Sequence, residues 1–221
     1  MKTLRTLFKQ DKEKFVVPKS VQTVIPIKTI WEDGIFLVGK NKYAKTFKFE
    51  DINYAVASRD DKEAMFLEYS ELLNALDSGA TTKITINNRR LNKVDFEQTI
   101  LIPMAEDGLD KYRKEYNKML LDKATGANSI VQDKYVTISV SKKNLEEARN
   151  YFARVGADLI GHFSRLGSKC TELDAGERLR IFHDFYRTGE ETAFTFDMVQ
   201  SMRKGHDFKD FILSLIHISE P

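Results

Sequence analysis

Between Lys134 and Arg187 the apolar residues switch twice from a period of two to steps of three and four, and few architectures accommodate that order. Tyr135 to Val140 alternates as a strand. Asn144 with Glu147 forms a capping-box-like start ahead of Leu145, Ala148, Phe152, Val155, Leu159, Phe163 and Leu166, one continuous apolar stripe that ends at Gly167. Ser168 to Leu173 reads as extended. Asp174 and Glu177 then cap a second helix carrying Leu179, Phe182 and Tyr186. In a β-α-β-α unit of this kind the first helix crosses over the sheet. The expected fold class is therefore α+β, with split βαβ, ferredoxin-like packing and helices on one sheet face.

Upstream, the texture from Val21 to Trp31 is β-branched, and Asp33-Gly34 lies between two apolar runs, a strong hairpin signal that predicts a type I′ turn. Ile35 to Val38 is the returning strand, and a second turn around Gly39 to Lys42 leads to Tyr43 to Glu50. The opening is expected to be a three-stranded antiparallel meander, 21–58. From Asp60 or Asp61, the positions Met65, Tyr69, Leu72 and Leu76 share one helix face, with Gly79 as the expected stop. Thr81 to Ile86 reads as a strand with Asn87 to Arg90 as its polar exit. Val94 to Ile102 fits helix or strand. Leu109, Tyr112, Tyr116, Met119 and Leu120 give a further helix that closes at Gly126. The expected layout is a charged lead-in, 1–20, and a docking or assembly domain, 21–212, whose α+β part is 59–212.

The function classes excluded follow from charge and from missing motifs. With 35 basic against 33 acidic residues, interspersed, the chain presents no polyanion-binding field, and no direct nucleic-acid contact is expected. Of the aromatic residues that an RNA-recognition sheet needs, the strand from Lys134 to Val140 offers only Tyr135. A phosphate-binding loop needs G-x-x-x-x-G-K-[ST] so that backbone N–H groups curl around phosphates beside a lysine; none occurs. The acids Glu106 and Asp107 follow an apolar run, but Pro103 interrupts it and the segment reads as a turn. Histidines 162, 183, 206 and 217 lack metal-ligand spacing, and the repeated His-Asp-Phe tripeptides at 183 and 206 read as surface or capping groups. The single cysteine, Cys170, fits a reducing cytosol and reads as a small buried hydrophobe. No stretch approaches the roughly 18 to 20 apolar residues that span a bilayer. No catalytic, cofactor-binding or metal-binding residue is therefore assigned.

Long strings then resemble a known family: DINYAVASRDDK (51–62), YSELLNALDSGATTKITINNRRLN (69–92), YNKMLLDKATGANSIVQDKY (116–135) and YFARVGADLIGHFSRLGSKCTELDAGERLR (151–180). Together with the opening MKTLRTLFKQDKEKFVVPKSVQ, they are similar to the N-terminal region of CagE/TrbE/VirB-type ATPases of conjugative type IV secretion. The resemblance runs to Ile212 and contains none of the family's motor motifs. It implies a cytoplasmic protein peripheral to the inner face of the cell membrane. Its implied partners are membrane components of a conjugation channel and other subunits of an ATPase ring. ATP and Mg are implied only for a motor domain downstream. The last nine residues, LSLIHISEP (213–221), look like a translated transposase-type sequencing adapter and are set aside from fold reasoning. Two rival readings stay open: a small enzyme using Cys170 with His162 or His183, and a single-stranded nucleic-acid binder.

Overall fold

A computed structural model describes residues 24–90, 100–126, 130–187 and 194–213. The charged lead-in, 1–20, lies outside the described residues, as does most of the ambiguous run from Val94.

The sheet is antiparallel throughout. Its strands are β1 (Thr29–Ile30), β2 (Phe36–Leu37), β3 (Lys42–Phe49), β4 (Thr81–Arg90), β5 (Ile130–Ser141) and β6 (Cys170–Glu172). Their order is β1-β2-β3-β5-β4, with β6 pairing the second half of β3 beside β2. The helices are α1 (Arg59–Ala75), α2 (Asp110–Gly126), α3 (Leu145–Arg165), α4 (Ala175–Tyr186) and the short α5 (Met198–Ser201). Because β3 separates β5 from β6, the unit β5-α3-β6 is a split βαβ. Because β5 separates β3 from β4, β3-α1-β4 is a second one. Interleaved, they give the ferredoxin-like order β6-β3-β5-β4, with α2 inserted between β4 and β5 and the meander added along the edge.

The opening meander forms, but its first turn differs from expectation. Gly34 takes positive φ, at 74°, while Asp33 does not. The Gly34 N–H donates to the Trp31 carbonyl at 2.9 Å and the Trp31 N–H to the Ile35 carbonyl at 3.0 Å. This is a three-residue loop with a bulge at the glycine rather than a two-residue type I′ turn. The next turn repeats the device with Asn41 at φ 57°. Among the described residues of the β-branched run only Thr29–Ile30 pairs as strand; Ile25 and Ile27 are buried in the second core, on either side of a proline that has no N–H to give a ladder.

Two corrections concern element ends. α1 stops at Leu76 in an extended conformation, so Gly79 is not its cap; Gly79 instead sits in a turn where its N–H meets the Asp77 carboxylate at 2.9 Å. β4 does not end at Ile86. It runs on through Asn87 to Arg90, paired to β5 as far as Arg90↔Ile130, because backbone pairing is indifferent to polar side chains on a ribbon that water reaches. Elsewhere local chemistry decides as expected. Asn144 caps α3 by accepting from the Glu147 N–H at 2.8 Å, although the returning Glu147 carboxylate reaches the Lys143 N–H rather than that of Asn144. At the other end of α3, Gly167 at φ 77° lets the Ser168 N–H reach the Phe163 carbonyl, closing a Schellman motif. Asp174 and Glu177 exchange backbone bonds at 2.8 and 2.9 Å in a complete capping box.

The helices do not all share one face. α1 and α3 cover the face that carries Tyr43, Phe47, Val136, Ile138 and Val140, and form one core with it. There α3 approaches closely because Gly156 lies over Phe47, whose ring carbons stand 3.1 and 3.2 Å from where a Cβ would be. Beneath α3 the buried Lys45 pairs with Glu172. α4 takes the opposite face, where Ile25, Ile27, Ile30 and Phe36 form a second apolar surface that Leu179, Phe208, Ile212 and Leu213 complete. Leu213 is fully buried. The proposed boundary after Ile212 thus does not coincide with the edge of the packed core, and residues 214–221 lie outside the described residues.

Candidate functional site

α1 is richer in apolar residues than its packing requires. Of its side chains only Leu72 is buried. Met65 and Leu76 pack partly against the core, while Phe66, Tyr69 and Leu73 are 66%, 44% and 43% exposed. Facing them across a gap are Val136 of β5, Thr82 and Ile84 of β4, and the stacked pair Phe49–Phe163, whose centroids lie 4.8 Å apart. The result is an open groove of about 380 Å³. It is of the size and apolar character that accept a ligand or a partner's side chains. Two of its polar groups are occupied: the Ser168 hydroxyl donates to the Glu50 carbonyl at 2.6 Å, and Asp51 accepts from Lys134 at 2.6 Å. Ile86 of β4 and Tyr112, Tyr116 and Met119 of α2 are also exposed. The sequence carried a sign of this in Phe66 and Leu73, seven residues apart and beside Tyr69, which widen the apolar arc past what one packed stripe needs.

A smaller, polar cleft of about 200 Å³ lies between the other sheet face and α4, lined by Lys48, Asp133, Tyr135, Glu177, Arg180 and Asp184. Its charges are of both signs and partly committed. Lys48 pairs with Asp133 at 2.8 Å, and Glu177 accepts the Asp174 N–H. Tyr135, the one aromatic considered for base stacking, is buried in this cleft under α4.

The residues weighed for catalysis are not brought together. Cys170 is buried beside Ile160 and Ser164, and burial, with a smaller contribution from Glu172, pushes its thiol up to about 11. His162 faces α1, where its Nδ1 lies 2.8 Å from Glu68, which also accepts from Arg165 at 2.7 Å. The hydrogen bond from His162, then Arg165, holds the Glu68 carboxyl below its usual range. His183 is not a surface group: it is 2% exposed, with its ring 5.1 Å from that of Phe194. His206 is half exposed, 3.5 Å from Asp210.

The acids after Ile100 serve the turn into α2. Asp107 and Asp110 both hold Arg113, which with the Leu109 N–H keeps the Asp107 carboxyl far below its usual range. Asp110 also accepts the Ala105 and Glu106 N–H groups. Asn117 of α2 clamps Ile102, accepting its N–H at 3.0 Å and donating to its carbonyl at 2.8 Å. Among the described residues no group of three His, Cys, Asp or Glu side chains is placed to hold a metal ion, and no helix is long and apolar enough to cross a membrane.

The state of Cys170 gives a direct expectation. Its neutral thiol contributes stability that is fully present below the ordinary thiol pKa of 9.0 and is lost as pH rises towards about 11. At pH 8 a thiol reagent is expected to modify the native chain at least about 100-fold more slowly than the chain in denaturant, since the thiolate is the nucleophile. Equal rates would show an accessible thiol of ordinary pKa, and a faster native reaction would reinstate an activated cysteine.

No protein-family model and no curated protein matches the sequence.

Proposed function

We propose that the chain is the non-catalytic N-terminal docking and assembly portion of a type IV secretion, conjugative DNA-transfer ATPase. It would lie peripheral to the inner face of the cell membrane, with ATP and Mg chemistry confined to a motor domain downstream. The observation that supports this reading is the apolar groove between α1 and the β4–β5 sheet, a surface suited to a partner's side chains rather than to bond-making. The partners proposed are membrane components of the conjugation channel and neighbouring subunits of the ring. The resemblance of the sequence strings supports the choice of those partners, and the groove supports a docking surface between α1 and the sheet.

Co-expression with the membrane components of a conjugation channel is expected to yield a complex. Phe66→Asp together with Leu73→Asp is expected to weaken that complex at least about 30-fold, as loss of central apolar anchors does. Because both side chains are exposed, the substituted chain should melt within about 2 °C of the parent. Calorimetry should show no ATP binding. Micromolar ATP affinity, or a complex indifferent to the two substitutions, would refute the proposal.

A further inference from the structure

β4 ends the sheet on one side, and among the described residues no strand pairs with its outer edge. The direction of its backbone groups follows from the ladder. The Lys142 N–H donates to the Asn41 carbonyl at 3.0 Å, and the register Lys42↔Ser141 carries that alternation along β5. Val136, Ile138 and Val140 thus turn their peptide groups towards β3, while Tyr135, Thr137 and Ser139 turn theirs towards β4, where Thr85, Lys83 and Thr81 take them up. The N–H and C=O groups of Thr82, Ile84 and Ile86 therefore point away from the sheet, along a strand without proline. The side chains of these three residues share the groove face, and Ile84 and Ile86 are 53% and 57% exposed. α1 overhangs that edge. Its Glu68 meets His162 and Arg165 of α3, and Phe66 and Leu73 lie about 140–160° around the helix from Glu68, on the flank turned from α3.

We infer that β4 receives an extended, acidic segment of a protein partner as one more antiparallel strand, with alternate apolar side chains of that segment entering the groove beneath Phe66 and Leu73. This deepens the docking reading above and rests on it for a protein as the occupant. Main-chain bonds to Thr82, Ile84 and Ile86 hold such a strand, and the pockets for its alternate side chains select it. An added strand lies about 4.8 Å beyond β4, so the side chains opposite Thr82, Ile84 and Ile86 fall on the groove face and extend its apolar floor under α1. Charge decides the intervening positions. They fall on the reverse face, beside Lys83, which is exposed and joined to no acid among the described residues. The sequence of β4, TTKITINNRR, holds three cations and no acid, which favours Glu or Asp across from it. For the same reason the β4 strand of a second copy is a poor match, since like charges on neighbouring strands repel.

The test uses the full chain, isotope-labelled, and two peptide probes: acetyl-Glu-Phe-Glu-Val-Glu-Val-Glu-amide and its counterpart with Lys in place of each Glu. The acidic probe is expected to bind at least about tenfold more tightly than the basic one. It should also slow amide hydrogen exchange at Thr82, Ile84 and Ile86 at least about tenfold, while Ile138, whose N–H faces β3, is unchanged. N-methylation of the acidic probe at Phe and both Val, the amides that face β4 in an antiparallel pair, is expected to weaken it at least about tenfold. Lys83→Glu, at an exposed position, should cut the preference for the acidic probe at least about threefold. Binding of neither probe, equal binding of both, or binding that leaves the three amides unprotected overturns the inference. A methylated probe that binds as well as its parent overturns it too, and needs no variant of the chain. Channel components that bind the chain without protecting those amides would overturn the inference and leave the docking proposal standing. Probe pairing that persists while the channel components fail to bind would refute the docking proposal alone.

Discussion

Gly34→Ala is expected to destabilise the chain by about 3 kcal/mol or more, among the largest effects of any single substitution here. Two independent costs combine. The backbone at Gly34 has φ 74°, a region that costs a residue with a Cβ on the order of 1 kcal/mol. The added methyl would also stand 2.0 Å from the carbonyl oxygen of Leu173, which is backbone and cannot swing aside. Relief requires the hairpin to part from the start of α4, and that joint holds the meander to the second core. Urea unfolding of the substituted chain measures the loss; a change under about 1 kcal/mol would mean the hairpin and α4 are not packed as described.

Arg178→Ala should cost a similar amount, about 3–4 kcal/mol, through a different mechanism. The guanidinium is buried, donates to the carbonyls of Gly34 at 2.6 Å and Ala44 at 2.8 Å, and lies over the Phe36 ring at 3.8 Å from its centroid. Burial lowers its pKa to about 9, which still leaves it charged at neutral pH. Removing it deprives two inward-facing carbonyls of a charged donor and opens a cavity beside Phe36, and each loss is worth about 1–3 kcal/mol. Arg178→Lys should recover little, because one ammonium on a thinner stem cannot both span two carbonyls and cover a ring. Combined with Gly34→Ala the losses should be less than additive, since both act on the same joint. Full additivity in a double-mutant cycle would count against the shared contact.

Much of the fold was legible because it rests on local chemistry. The stripe from Leu145 to Leu166, the Asp174–Glu177 box and the glycine at 167 each act within one or two turns of chain, and the structure places each where its neighbours require. The β-α-β order then left handed, short connections few arrangements other than two interleaved split βαβ units. Misreadings cluster where a residue's role depends on what lies opposite. His183 looks polar in sequence yet is buried beside Phe194, and Asn87–Arg90 look like an exit yet lengthen β4 because β5 runs alongside. The groove was only half visible: the excess apolar arc of α1 could be read, but not that the sheet leaves it partly uncovered.

The sequence by itself determined the main helices and strands, the caps at Asn144, Gly167 and Asp174, and the α+β order, since hydrophobic period and side-chain hydrogen bonds operate over a few residues. Tertiary structure alone decided that α4 crosses to the second face, that Arg178 and Gly34 meet across 144 residues, and that Leu213 closes a core. The physical reason is that burial and backbone clearance are properties of two surfaces in contact, and a linear pattern describes only one of them at a time.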